Sequence, residues 1–133
     1  MTRFVFGAVL LAALSGCASG LNRPVREVTA TTGSDQVQHV TVTAHSFWFD
    51  PARIVVKRDV PVELTVRNGA WLVPHDFSCD AEEAGIHVDA PLGMFHGTRH
   101  VRFTPTREGE YEFHCDVDHH AKKGMTGKIV VTG

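Results

Sequence analysis

The chain has 133 residues, 43% of them hydrophobic and 21% charged, with a formal net charge of −2. That length accommodates one small domain plus a tail, and the near-neutral charge, without a Lys/Arg block, excludes a partner recognised through nucleic-acid phosphates. Nine histidines and three cysteines are the compositional anomaly, and they turn attention to metal chemistry.

In chain order, the first sixteen residues read as a removable leader. Arg3 supplies a positive charge, residues 4–14 are continuously apolar, and Leu14-Ser15-Gly16-Cys17 follows at once. Eleven apolar residues are too few to cross a bilayer as a helix, which takes about 20, but they suit the apolar part of a secretory signal. Ser15 and Gly16 before a cysteine resemble the bacterial lipobox, which implies cleavage after residue 16 and lipidation of Cys17. The expected location is then the periplasmic face of the cell envelope, with the membrane engaged only through that lipid. Ala18 resembles the sorting position of outer-membrane lipoproteins. A plain secretory signal with an incidental cysteine is the other reading. Residues 17–37 are rich in Thr, Gly, Ser, Asp and Gln and show no apolar periodicity, so a flexible tether is expected. Residues 38–133 form the domain.

The domain reads as strands throughout. Val40, Val42 and Ala44 alternate with His39, Thr41 and Thr43, the period of a half-buried strand. Phe47-Trp48-Phe49 is an aromatic cluster ending at Asp50-Pro51, and residues 54–56 are a β-branched run before the Arg58-Asp59 turn. Val62, Leu64 and Val66 alternate with Glu63, Thr65 and Arg67 up to Asn68-Gly69, a strong turn signal. Residues 81–97 are the least regular, with Glu82-Glu83-Ala84 the one candidate for a helical turn. Val101 and Phe103, a Pro/Gly corner at 104–109, residues 111–115 and residues 129–131 complete the pattern. Regular strand spacing with turn signals predicts an all-β sandwich or barrel.

The chemistry concentrates in residues 115–125, Cys-Asp-Val-Asp-His-His-Ala-Lys-Lys-Gly-Met. A thiolate, two adjacent imidazoles and a thioether are soft and borderline donors, a set that selects copper over hard cations. Along the preceding strand Tyr111, Phe113 and Cys115 share the apolar face while Glu110, Glu112 and His114 share the other, so Cys115 points inward and His114 outward. Two imidazoles, one thiolate and a weak axial thioether make a copper site, and that geometry needs a second histidine from elsewhere. His75 is the candidate, because it follows the Asn68-Gly69 turn and opens an extended segment at one end of the sandwich.

Asn68…His75-Asp76-Phe77, together with Gly109-Glu110-Tyr111-Glu112-Phe113-His114-Cys115-x4-His120-x4-Met125-x-Gly127-x-Ile129-Val130-Val131, resembles the cupredoxins, the plastocyanin- and azurin-like blue copper proteins. The resemblance covers residues 38–133. It implies a Greek-key β-sandwich of about eight strands and one type 1 copper ion on His75, Cys115, His120 and Met125, the last axial. His119 also stands at ligand spacing from Cys115, whereas the family pattern takes His120. The function implied is one-electron transfer, not enzyme catalysis. The electron would leave through the exposed edge of His120 to a docked redox partner such as a cytochrome or oxidase, from a monomeric protein. Lys122 and Lys123 are positioned to steer an acidic partner or serve solubility alone.

Other residues carry paired readings. Cys79 lies on the order of 13 Å along a strand from His75, too far to share its ion; it reads as a buried thiol, with a disulfide to Cys115 or a redox role as alternatives. His87, Met94, His96 and His100 are either a second, copper-loading cluster, which would make the protein a copper carrier or resistance protein, or solvated loop residues. An open axial position would instead suit a small copper enzyme. Trp71, Leu72 and Val73 are core filler or an exposed docking patch.

Overall fold

The computed structural model describes residues 23–133, so the expected leader at 1–16 and the lipidation site Cys17 lie outside the described residues. Eleven strands follow in chain order: β1 Glu27–Thr29, β2 Thr31–Thr32, β3 Gln38–His45, β4 Trp48–Asp50, β5 Arg53–Lys57 and β6 Val62–Asn68, then β7 His75–Ala81, β8 Ile86–Gly93, β9 Thr98–Phe103, β10 Gly109–His114 and β11 Thr126–Thr132. Eight of the eleven have five or more residues, which agrees in number with the eight or so expected, although β8 is not among the segments the sequence marked. One sheet runs β1-β5-β11-β10-β7-β8 and the other β2-β3-β6-β9, with β4 on β3. β3–β6 and β5–β11 pair in parallel, so those strands are joined by crossovers rather than hairpins. The result is a Greek-key sandwich.

The core lies between the inward faces. Val40, Val42 and Ala44 of β3 and Val62, Leu64 and Val66 of β6 meet Ile54, Val56, Phe77, Phe113, Ile129 and Val131 of the facing sheet, all buried. Full burial of each large side chain is worth about 1.5–3 kcal/mol. Phe49, Phe77 and Phe113 pack ring to ring at 5.6, 5.2 and 4.4 Å between centroids. Gly127 makes this possible: a Cβ there would come within 2.2 Å of the Phe113 ring and 2.5 Å of the Ala52 carbonyl oxygen.

Two stretches differ from their sequence reading. Residues 81–97 are not irregular, because β8 alternates strictly, with Ile86, Val88, Ala90 and Leu92 buried and His87, Asp89 and Pro91 exposed. Pro91 obscures that pattern, yet β8 is the sheet edge, where a missing N–H costs little. Glu82–Ala84 is a single 3-10 turn joining β7 to β8.

Within the expected tether at 17–37, residues 27–32 also join the sandwich before Gln38. β1 pairs in parallel with β5 and β2 antiparallel with β3, Ala30 is buried, and Arg53 Nε donates to Glu27 at 2.5 Å. These two strands bury so little that no apolar period marks them. All the loops that matter below, after β3, β6, β8 and β10, emerge at one end.

Candidate metal centre

His75, Cys115 and His120 reach that end from three directions. Cys115 follows β10 inward, as the parity predicts, and is 1% exposed; His75 is 1% and His120 5% exposed. The register of β7 against β8 slips between His75 and Asp76, and such a bulge re-aims a side chain at a strand end. The ligand atoms of the three residues all lie within 4.8 Å of one another. Cys115 Sγ is 3.9 Å from His75 Nδ1 and 3.4 Å from His120 Nδ1. An ion held at roughly 2.0–2.3 Å by nitrogen and sulfur donors needs donors about 3.5–4 Å apart, so this spacing fits one metal ion. With Nδ1 of His75 turned to the sulfur, the ring proton belongs on Nε2, a buried atom without a partner among the described residues.

The loop closes on itself. His120 N–H donates to Val117 O at 3.1 Å, Met125 N–H to His120 O at 3.1 Å and Cys115 N–H to Met125 O at 3.2 Å. Gly124, at φ 94°, ends the Ala121–Lys123 3-10 turn in the left-handed region that glycine alone occupies freely. Met125 is fully buried. His119 is exposed, so the loop delivers His120 and not its neighbour. His114 faces outward, paired with Asp116 at 3.0 Å.

Electrostatics prepare the donors. Burial, followed by the charges of His120 and His45, pulls the His75 imidazole down to about 4, and burial also lowers His120. Both are neutral near pH 7, the state a metal ligand requires. Burial pushes the Cys115 thiol up to about 11, so metal entry displaces its proton. The Asp76 N–H lies 3.5 Å from Cys115 Sγ, and the Asp76 carboxylate accepts the Asp116 N–H at 2.6 Å, tying the two ligand segments together.

The family model of the cupredoxin-like domain matches residues 5–131. The chain belongs to the cupredoxin-like family. Similar solved structures include the metal-binding domain of the Cu(I)-exporting P-type ATPase CopA of Streptococcus pneumoniae D39 with Cu(I), at 24% identity over 82% of this chain and 98% of that one, TM-score 0.59. Reduced auracyanin from Roseiflexus castenholzii matches at 18% identity, 78% and 99% coverage and TM-score 0.62. Reduced rusticyanin matches at 24%, 80% and 84%, and 0.59. At these identities the likeness establishes the fold. No curated protein matches the chain. For a cupredoxin-like domain whose buried donors are two imidazoles and a thiol beside a buried thioether, copper is the cofactor that the chemistry fits.

One side chain departs from the sequence reading, and several others decide between the paired readings it left open. Phe47, in the turn between β3 and β4, covers His120 with ring centroids 4.6 Å apart and lies edge-on to His75 at 6.4 Å. The edge of His120 is therefore shielded, not exposed. Cys79 is buried and free, its thiol pushed up to about 11 by burial. His87 sits beside Asp80 at 3.4 Å on the outer face of β7–β8, His100 bonds Thr65 at 3.0 Å, His96 contacts the Asn68 carbonyl at 3.2 Å, and Met94 is exposed. These four do not form one donor cluster. Trp71 and Leu72 are 62% and 65% exposed, and Trp71 packs against Phe95, also exposed.

Asn68 exceeds its reading as a turn residue. Buried to 2% exposure, its Nδ2 donates to Val73 O at 2.9 Å and Gly93 O at 2.6 Å, and its Oδ1 accepts from Ala70 N–H at 2.8 Å. One side chain thus clamps the loop before His75 to the end of β8.

Proposed function

We propose that this protein is a one-electron carrier built around a single type 1 copper ion. The observation that carries the reading is the buried, preformed His75–Cys115–His120 set. Donors held by strands, a bulge and a closed loop allow little rearrangement, which is what rapid one-electron transfer needs. Bound copper would supply the Cu(I)/Cu(II) couple; the chain supplies the rigid frame and excludes water. His75, Cys115, His120 and Met125 are the ligands in this reading.

Burial of all four favours a carrier over an enzyme, whose copper would keep a position open to substrate. The dispersal of His87, Met94, His96 and His100 removes the feature that supported copper delivery. The carrier works on the periplasmic face of the envelope, tethered by lipid at Cys17 and sorted to the outer membrane, and meets a cytochrome or oxidase at its copper end. Reconstitution with Cu(II) tests the reading: an intense thiolate-to-copper visible band that reductant bleaches reversibly is expected. A weak spectrum of tetragonal copper would overturn it.

A further inference from the structure

The residue that shields His120 is itself part of a surface site. Lys123 Nζ stands 4.0 Å above the centre of the Phe47 ring, whose centroid is 4.6 Å from that of the copper ligand His120. Next to it, the Arg23 guanidinium lies 4.8 Å over the Trp48 ring. A groove of about 370 Å³ runs between them, lined by Arg23, Ser46, Phe47 and Lys123. Among the described residues, both cations rest on aromatic faces and neither pairs with a carboxylate. A ring face orients a cation and attracts it by only about 0.5–2 kcal/mol, without neutralising its charge, so N–H donors remain available to an incoming anion. The hydroxyl of Ser46 adds a third donor.

A second groove shows the opposite character. On the outer face of β7, β8 and β10, about 410 Å³ is lined by Ser78, Asp80, His87, Val88, Asp89, His114 and Asp116. Three carboxylates there would repel the same anion, so an acidic protein surface is turned away from that part of the six-stranded sheet.

We propose that the groove of Arg23, Ser46, Phe47 and Lys123 receives a carboxylate side chain of an acidic redox partner, with Phe47 the contact between that partner and His120. A carboxylate seated on Lys123 lies beside the ring that packs on His120. The recognition half of this inference is independent of the electron-carrier reading; the role of Phe47 rests on it.

Two experiments separate these halves. In the copper-free protein, titration with a hexaglutamate peptide at low salt is followed by backbone amide shifts. Shifts centred on Ser46, Phe47 and Lys123 are expected, with affinity falling about tenfold or more in the Arg23→Glu/Lys123→Glu variant. Absence of binding, shifts centred elsewhere, or indifference to the double substitution overturns the site. In the protein loaded with copper and reduced to Cu(I), one electron passes to ferricyanide, giving ferrocyanide and the Cu(II) protein. Lys123→Glu should slow that bimolecular step about tenfold at low salt and speed oxidation by a cationic cobalt(III) complex. Phe47→Leu should slow both while leaving the visible band in place. An unchanged rate in Phe47→Leu removes Phe47 as the contact, whereas a wild-type protein without the band fails as an electron carrier and leaves the peptide result standing.

Discussion

Residues 115–125 hold their donors with their own main chain, whereas His75 depends on a strand bulge and on one buried amide, that of Asn68. In the first segment the hydrogen bonds among Cys115, Val117, His120 and Met125 are backbone to backbone, so a ligand can be replaced without dismantling the loop. In the second, three main-chain groups from 70, 73 and 93 all converge on the Asn68 side chain. Chemistry and scaffold are separable on one side of the site and fused on the other.

The largest expected effect tests the separable side. Cys115→Ser removes the soft thiolate, and the intense visible band should vanish entirely on addition of Cu(II) while the far-ultraviolet dichroism stays that of the parent. Loss of the sandwich signal together with the band would show that the loop is not self-supporting. On the other side, Asn68→Leu orphans three main-chain groups, each costing about 1–3 kcal/mol where it stays dry. Urea unfolding should report a loss of about 3–5 kcal/mol, together with a displaced or weakened copper band. A variant that kept its stability would break the comparison, because Asn68 would then not be the clamp.

Acid provides a graded version of the same contrast. His75 titrates near 4 in the folded, copper-free protein against an ordinary value of 6.5. The unfolded chain therefore takes up a proton at higher pH than the folded one. Its contribution to stability is complete above about 6.5 and is lost as pH falls toward 4, at up to about 3 kcal/mol. Denaturant midpoints measured across that window should fall with pH, and His75→Gln should flatten that dependence. A midpoint unaffected between pH 7 and 4 would place His75 in a wetter setting than the fold gives it.

How much of this was legible depended on distance along the chain. The long strands declared themselves by alternation, and Cys115, His120 and Met125 by spacing within one loop. β8 was missed because Pro91 masks its period, and β1 and β2 because two- and three-residue strands on an edge bury almost nothing. His75 could be nominated as a remote imidazole, but the means of holding it could not, since Asn68 acts on backbone groups 2, 5 and 25 residues away. Phe47 sits in a turn, where period-two parity says nothing, so neither its cover over His120 nor the cationic groove beside it was visible.

The smallest expected effect concerns the one step inside the loop where spacing alone was ambiguous. His119 and His120 are both within reach of Cys115 along the chain, yet consecutive residues entering a 3-10 turn project about 120° apart, so one can face the thiol only if the other faces away. His120 faces it, with Nδ1 at 3.4 Å from Sγ, and His119 is exposed. His119→Ala should therefore leave the band position and intensity unchanged and stability within about 0.5 kcal/mol, the ordinary range for a surface substitution. His120→Ala should abolish the band while the backbone bonds of the loop persist. The reverse pattern would require the loop to turn by one residue on loading copper. That rotation would break the His120 O to Met125 N–H bond on which the closure of the loop depends, and with it the separation of ligand from scaffold that distinguishes this segment from the one around Asn68.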